Sequence, residues 1–156
     1  MATMVGKEKD VAKLLKDLIV LDLDAIEAYE AAITRLSGAT DREQLSRFME
    51  DHQRHVRDLS DLVRGFGEVP PHEPDFKRVL TMGKVVLAGL IDDEAILRAM
   101  KSNEDDTNQA YERAVAHQGI AEHVLAALRT NLGDERRHRA WIEKRIDAMR
   151  AAQAHP

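Results

Sequence analysis

A carboxylate and an imidazole stand three positions apart late in the chain, as Glu135 and His138. On a helix this spacing places both side chains on one face and one turn apart, so both can reach the same ion. Carboxylate oxygens and imidazole nitrogens together suit iron, manganese or zinc. A single pair of this kind occurs often by chance, so it indicates a metal site only if other segments supply matching groups at the same depth.

Three other segments interrupt an apolar helical stripe with ionisable residues. In the first of them, Asp22 lies four residues after Leu18 and seven before Tyr29. The interrupting residues of the other two segments are His52, His55 and Glu104. A buried carboxylate is costly unless it is paired or coordinated. Interruptions in every segment therefore need a common cause.

Long stretches of helical periodicity carry these residues, over about 9–36, 41–65, 92–117 and 120–150. Thr40 and Glu43 form a capping-box pattern near the start of the second stretch. A break with three prolines follows the second stretch, and residues 75–90 then form a short amphipathic segment. This order predicts an all-α fold, an antiparallel four-helix bundle with a short crossover helix between helices two and three.

The interrupting residues also lie at similar depths. The first on each helix stands about 11 to 15 residues past the predicted helix start, which is roughly 17–22 Å along the axis. Because helix midpoints meet at one level in an antiparallel bundle, we expect these groups to converge. The predicted metal ligands are Asp22, His52, His55, Glu104, Glu135 and His138.

The two halves of the chain resemble each other. Residues 24–30, DAIEAYE, are echoed by residues 106–112, DTNQAYE. Residues 51–55, DHQRH, are echoed by residues 134–138, DERRH. Each half has its tyrosine motif first and its histidine motif second, which is the order that a duplicated helical hairpin leaves behind.

These motifs resemble those of the ferritin-like superfamily, the di-iron carboxylate bundles that include bacterioferritins and rubrerythrins. In that family the first and third helices each give a Glu seven residues before a Tyr, and the second and fourth each give Glu-x-x-His. Glu104 with Tyr111 matches the third-helix motif, and Glu135 with His138 matches the fourth. The resemblance covers about residues 9–150 and is closest to small bacterial ferritin-like proteins of unassigned function.

The first two helices depart from the family pattern. Asp22 takes the first-helix ligand position, seven residues before Tyr29, with a side chain shorter by one methylene. On the second helix His55 matches, but His52 stands where the family has a bridging Glu. A neutral imidazole cannot bridge two metals as a carboxylate does. Two outcomes stay open: a dinuclear site bridged by Glu135 alone, or a site that holds one metal tightly.

Other acidic residues are alternatives at the two altered positions. Asp24, Glu27 or Glu30 would replace Asp22 as a ligand, and Glu50 or Asp51 would replace His52. We expect Tyr29 and Tyr111 to donate hydrogen bonds to the buried carboxylates around the metal.

The resemblance implies a metal-binding protein that holds iron, or else manganese or zinc, and performs oxidoreductase chemistry with oxygen or peroxide. The alternative is a bundle of the stress response that binds metal without turnover or is purely structural, so whether the chain is an enzyme stays open. No cysteine is present, which excludes iron–sulfur clusters and Cys-ligated zinc. Without a Cys-x-x-Cys iron domain, peroxidase chemistry of the rubrerythrin type would need an external electron donor.

Composition narrows the remaining expectations. The net charge is −5 with no basic tract, so nucleic acid is not an expected partner. The longest uncharged apolar stretch, residues 85–91, is too short to span a membrane, and residues 1–16 lack the apolar core of a secretory signal. We therefore expect a cytoplasmic protein without a membrane partner. The length predicts a single domain over residues 1–156, and bundle size favours a homodimer.

Overall fold

The computed structural model describes residues 3–72, 87 and 89–155. Within those ranges the chain forms four α-helices: α1 (Val11–Arg35), α2 (Ala39–Gly65), α3 (Asp93–Val115) and α4 (Glu122–Ala154). The all-α four-helix bundle predicted from the sequence is confirmed. The predicted crossover helix over residues 75–90 lies outside the described residues, apart from residues 87, 89 and 90.

Aspartates cap the starts of α1 and α3, and the predicted capping box of α2 does not form. Asp10 accepts a hydrogen bond from the Lys13 N–H at 3.0 Å, and Asp92 accepts one from the Ala95 N–H at 2.8 Å. The capping box predicted from Thr40 and Glu43 is wrong, because α2 begins before Thr40. Within the described chain its N-cap is Gly38, which has no side chain that could accept a hydrogen bond. The acceptor near this end comes from another helix.

That acceptor is Asp93, in the first turn of α3. Its carboxylate accepts from the Ser37 N–H at 2.9 Å, the Ser37 hydroxyl at 2.9 Å and the Gly38 N–H at 3.0 Å. One side chain therefore ties the α1–α2 turn to the start of α3. This long-range cap takes the place of the local capping box.

The core consists of two apolar clusters, one toward each end of the bundle. The first joins the start of α1 to the end of α2, the end of α3 and the start of α4, and its members include Leu14, Leu15, Leu18, Leu59, Val63, Ala114, Val124 and Leu128. The second joins the opposite ends and includes Ala32, Leu45, Phe48, Ile96, Met100, Ile142 and Ile146. Along every helix the predicted metal ligands fall between these two clusters.

None of the helices in the described part of the chain combines the length and the apolar character needed to cross a membrane.

Gly133 lies inside α4, where glycine is unfavourable. A Cβ atom built at this exposed position meets none of the described atoms within 4 Å. We expect Gly133→Ala to raise the free energy of unfolding by about 1 kcal/mol, since it restricts the unfolded chain without a clash. Urea denaturation of the chelator-treated protein measures this.

The control for that measurement is Gly6→Ala. Gly6 has φ +101°, and a Cβ there would come within 2.5 Å of the Arg113 Cβ. This variant should lose stability. A loss of stability in Gly133→Ala as well would contradict the expectation.

Asp93 gives the fold a pH dependence at its α1–α2 end. Burial raises the pKa of Asp93, but the hydrogen bonds from Ser37 and Gly38 outweigh it and hold the pKa below its ordinary value of 3.8. The stabilisation is therefore complete above pH 3.8 and is lost as the pH falls through the lower, folded-state pKa. We expect Asp93→Ala to cost about 1 kcal/mol at neutral pH. The difference from the wild type should shrink in acid unfolding curves below pH 3.8, and a constant difference would contradict the assignment.

Candidate metal centre

The structure brings all six predicted ligands into one layer between the two apolar clusters. Each has a relative exposure of 0%. One comes from α1, two from α2, one from α3 and two from α4: Asp22, His52, His55, Glu104, Glu135 and His138. The layer therefore contains three carboxylates and three imidazoles with no access to bulk water.

Two overlapping sets of four residues have ligand atoms within 4.8 Å of one another. The first set, here called the first half-site, consists of Asp22, His52, His55 and Glu135. The second half-site consists of His52, Glu104, Glu135 and His138. His52 and Glu135 belong to both sets. They take the two positions at which the ferritin-like pattern has its bridging glutamates.

The first half-site is compact. Asp22 Oδ1 lies 2.8 Å from His52 Nδ1 and 3.3 Å from His55 Nδ1. Glu135 Oε1 lies 3.4 Å from the same His52 nitrogen and 3.3 Å from the same His55 nitrogen. Two oxygens and two nitrogens thus surround one small volume.

The second half-site is looser. Glu104 Oε1 lies 3.4 Å from His52 Nε2 and 3.5 Å from His138 Nδ1. His138 Nδ1 is 4.0 Å from Glu135 Oε2. The two nitrogens of the His52 ring therefore face different half-sites.

Both tyrosines donate to carboxylates of the layer, and each does so across the two halves of the chain. Tyr29 of α1 donates to Glu104 of α3, and Tyr111 of α3 donates to Asp22 of α1 at 2.6 Å. Burial, reinforced by the carboxylates, raises the pKa of both phenols, so they remain protonated donors. Tyr111 uses Asp22 Oδ2 and leaves Oδ1 facing the histidines.

Two aspartates hold the outer nitrogens of the histidines. Asp51 Oδ2 lies 2.8 Å from His138 Nε2, and Asp134 Oδ2 lies 3.0 Å from His55 Nε2. Each aspartate sits four residues before one histidine but bonds to the histidine of the other helix. A carboxylate in this place favours a proton on Nε2 and so turns the lone pair of Nδ1 inward.

This role of the aspartates was not predicted. The signal that could have revealed it is the repeat of Asp four residues before His in both halves. Asp51 does reach the layer, as one alternative held, but it bonds to His138 and does not replace His52. Glu50, the other acidic residue offered for that position, is exposed.

Two arginines close the network on the outside. Arg54 donates to Asp51 at 3.0 Å and also to Asp134. Arg137 donates to Asp51 at 2.7 Å and to Asp134 at 3.0 Å. Burial raises the pKa of both aspartates, but their histidine and arginine partners outweigh it and lower the pKa. Both aspartates therefore stay ionised.

Without a metal, the layer neutralises itself by proton transfer. Burial lowers the pKa of His52 and His55, but the carboxylates outweigh it and raise the values to about 10 and about 12. Burial raises the pKa of Glu135 to about 7, whereas the imidazoles hold the pKa of Asp22 and Glu104 below the ordinary range. Protonated histidines thus neutralise most of the negative charge of the buried carboxylates.

Two atoms remain unsatisfied by this pairing. Among the described residues, Glu135 Oε1 and His138 Nδ1 are buried without a hydrogen-bond partner. Buried polar atoms seldom stay unpaired. Glu135 Oε1 faces the nitrogens of His52 and His55 in the first half-site, and His138 Nδ1 faces Glu104 in the second. A cation in each half-site would contact one of these two atoms. The donor set of carboxylate oxygens and imidazole nitrogens therefore fits iron, manganese or zinc.

Polar residues of α3 support the ligands. Thr107 donates its hydroxyl to Glu135 Oε2 at 2.7 Å, and Asn108 donates to the carbonyl oxygens of Glu104 at 2.7 Å and Glu135 at 3.0 Å. These bonds tie α3 to α4 at the level of the layer. Neither of the two cation-holding groups found in the described chain includes Asp24, Glu27 or Glu30 as a substitute for Asp22.

The model of one protein family, described as "Domain of unknown function (DUF2383)", matches residues 10–117, more than half of the chain. The chain belongs to this family. The matched region contains α1 to α3 but not Glu135 or His138 of α4. No curated protein matches the sequence significantly.

A solved structure extends the comparison to nearly the whole chain. It is the bacterioferritin-related protein from Bacteroides fragilis, described as a dodecameric thioferritin. The similarity has a TM-score of 0.73 at 17% sequence identity and covers 97% of this chain and 95% of that chain. The fold of this member of the DUF2383 family is therefore ferritin-like, as the sequence predicted.

The homodimer predicted from the sequence is wrong. The structural relative is a dodecamer and not a dimer. The physical reason is that the size of one bundle determines how much core a chain buries, whereas the number of copies depends on its outer faces.

Thr107 provides a test of the layer itself. We expect Thr107→Val, which keeps the shape of the side chain, to destabilise the chelator-treated protein by about 1–3 kcal/mol, because Glu135 loses its buried donor. Thr130→Val is the matched control, since the exposed Thr130 hydroxyl bonds only to the Ala126 carbonyl of its own helix in the described structure. Urea unfolding measures both. Equal, small effects would mean that the Thr107 hydroxyl contributes nothing to the layer.

Proposed function

We propose that this protein binds transition-metal ions in the buried layer, with iron as the first candidate and manganese or zinc as the alternatives. The observation that carries the proposal is that two buried atoms, Glu135 Oε1 and His138 Nδ1, make no hydrogen bond although they lie inside a set of carboxylates and imidazoles. The ligands would be Asp22, His52, His55, Glu104, Glu135 and His138.

The surrounding residues support an oriented site. Asp51 and Asp134 set the inward-facing nitrogens of His138 and His55. Tyr29 and Tyr111 donate hydrogen bonds to the carboxylates of α3 and α1, respectively. Such outer partners typically change metal affinity by about 10- to 100-fold.

Bound iron would supply one-electron chemistry with oxygen or peroxide. Its electrons would come from an external donor, because the chain has no cysteine with which to hold a second redox centre. The full burial of the ligands would exclude bulk water from the metal, and the arginines that bridge Asp51 and Asp134 cover the histidines on the α2–α4 side.

A separate observation supports a second candidate function. The imidazolium–carboxylate pairs balance most of the buried charge without any metal, as the raised pKa values of His52 and His55 indicate. This favours the alternative of a structural bundle, or of a metal-holding protein without turnover. The two proposals differ in whether the unpartnered atoms acquire a cation.

Metal loading tests the proposal. We expect stoichiometric Fe²⁺, Mn²⁺ or Zn²⁺, added to the metal-free protein without oxygen, to raise its melting temperature, because the assembled layer binds an ion more tightly than the unfolded chain does. Glu135→Gln should abolish most of this rise. Glu143→Gln, on the exposed side of the same helix, is the matched control and should behave as the wild type. Absence of any metal-dependent shift in the wild type would leave the structural bundle.

The same samples separate turnover from storage. If iron supports oxidoreductase chemistry, the Fe²⁺-loaded protein should consume peroxide or oxygen, and the Zn²⁺-loaded protein should not. Stable Fe²⁺ in the presence of both oxidants would favour a metal-holding protein without turnover.

A further inference from the structure

We propose that the two half-sites are unequal. The first half-site holds one ion tightly with four protein donors, and the second binds an ion at least about ten-fold more weakly. This inference rests on the proposed metal-binding function and assigns its stoichiometry and coordination.

The asymmetry originates at His52. Its ring turns Nδ1 toward Asp22 and Glu135 and turns Nε2 toward Glu104. A glutamate at this position would offer one oxygen to each half-site. A neutral imidazole has one lone pair and one N–H, so His52 can serve as a ligand on one side only. On the other side it presents a hydrogen to a carboxylate.

The distances assign the ligand nitrogen of His52 to the first half-site. Four donors arranged tetrahedrally about an ion, with bonds of about 2.0–2.1 Å, lie about 3.3–3.4 Å from one another. Glu135 Oε1 stands at 3.3 and 3.4 Å from the two ring nitrogens, and Asp22 Oδ1 stands at 3.3 Å from that of His55. Of these four carboxylate–imidazole separations, the one between Asp22 Oδ1 and His52 Nδ1 is shorter, at 2.8 Å, as expected while a proton rather than a cation joins them.

The hydrogen bonds from tyrosine and threonine hydroxyl groups also favour an ion in the first half-site. Tyr111 and Thr107 bond to Asp22 Oδ2 and Glu135 Oε2, the oxygens that do not take part in the first half-site. By contrast, Tyr29 bonds to Glu104 Oε1, the oxygen that faces His52 and His138 in the second half-site. An ion in the second half-site would have to compete with that hydroxyl.

An ion in the first half-site therefore weakens the second. Coordination through Nδ1 leaves the proton of His52 on Nε2, where it donates to Glu104. The second half-site then retains Glu104, Glu135 and His138, whose donor atoms are 3.5 and 4.0 Å apart. Four protein ligands and no open position are the features of a structural ion, so reaction with a small molecule would require the weaker half-site.

Cobalt provides the test, because four-coordinate Co²⁺ absorbs visible light far more strongly than six-coordinate Co²⁺. The metal-free, full-length protein is titrated with Co²⁺, and in parallel with Zn²⁺ by calorimetry. We expect the first equivalent to give the intense four-coordinate spectrum and a separate, weaker second step to add little to it.

His55→Ala and His138→Ala form a matched pair, since both histidines are fully buried and each bonds through Nε2 to an aspartate of the other helix. The first variant should lose the tight step, with at least about a ten-fold loss of affinity. The second should keep the tight step and its spectrum. His52→Glu should give two steps of similar affinity. Far-UV circular dichroism shows whether each variant is folded.

The outcomes separate this inference from the proposed function. If the wild type binds no Co²⁺ or Zn²⁺, the metal-binding function fails. If the wild type binds two ions with equal affinity, or if His138→Ala rather than His55→Ala removes the tight step, metal binding stands and the inequality of the half-sites is overturned. The wild-type titration and His52→Glu decide the matter even if a histidine-to-alanine variant does not fold.

Discussion

The burial of three carboxylates beside three imidazoles is the constraint on which the rest of the structure depends. Isolated charges in such a place would cost several kcal/mol each, and here they neutralise one another or share a cation. Every helix contributes at least one of these groups. Sliding one helix by a turn would therefore leave an unpaired charge in an apolar cluster, so the polar layer fixes the register of the whole bundle.

The two halves of the chain complete each other at this layer. Asp51 belongs to the first half and holds His138 of the second, while Asp134 of the second half holds His55 of the first. The tyrosines also bond across the halves: Tyr29 donates to Glu104, and Tyr111 donates to Asp22. Either hairpin alone would have buried acceptors and histidines without their partners. The cooperative unit is therefore the four-helix bundle and not the hairpin, although the hairpin is the repeat in the sequence.

Helix phase and depth were sufficient to predict much of this arrangement. Asp22 and Glu104 stand out because each interrupts an apolar stripe, and similar distances from the helix starts place them at one level. The hydrogen-bond partners could not be predicted in the same way. Asp51 lies at the edge of its helix face, where solvent is the ordinary expectation, and only the packing of α2 on α4 reveals its contact with His138.

The errors have a similar origin. The capping box was expected from Thr40 and Glu43, but the acceptor near the start of α2 is Asp93, which is distant in sequence. The expected homodimer was based on bundle size, which carries no information about the outer faces. Both errors concern contacts between separate helices or separate chains, which helical periodicity within one segment does not report.

The pairing of His52 with Glu135 shows what a duplicated chain permits. In a dimer of identical hairpins, any substitution at this position appears in both copies, and the centre must remain symmetric. A single chain that carries both copies can change one and retain the other, while the aspartates, arginines and tyrosines around them keep their two-fold arrangement. A chain with two similar hairpins can therefore have a chemically asymmetric centre, with His52 opposite Glu135, inside a nearly symmetric arrangement of helices.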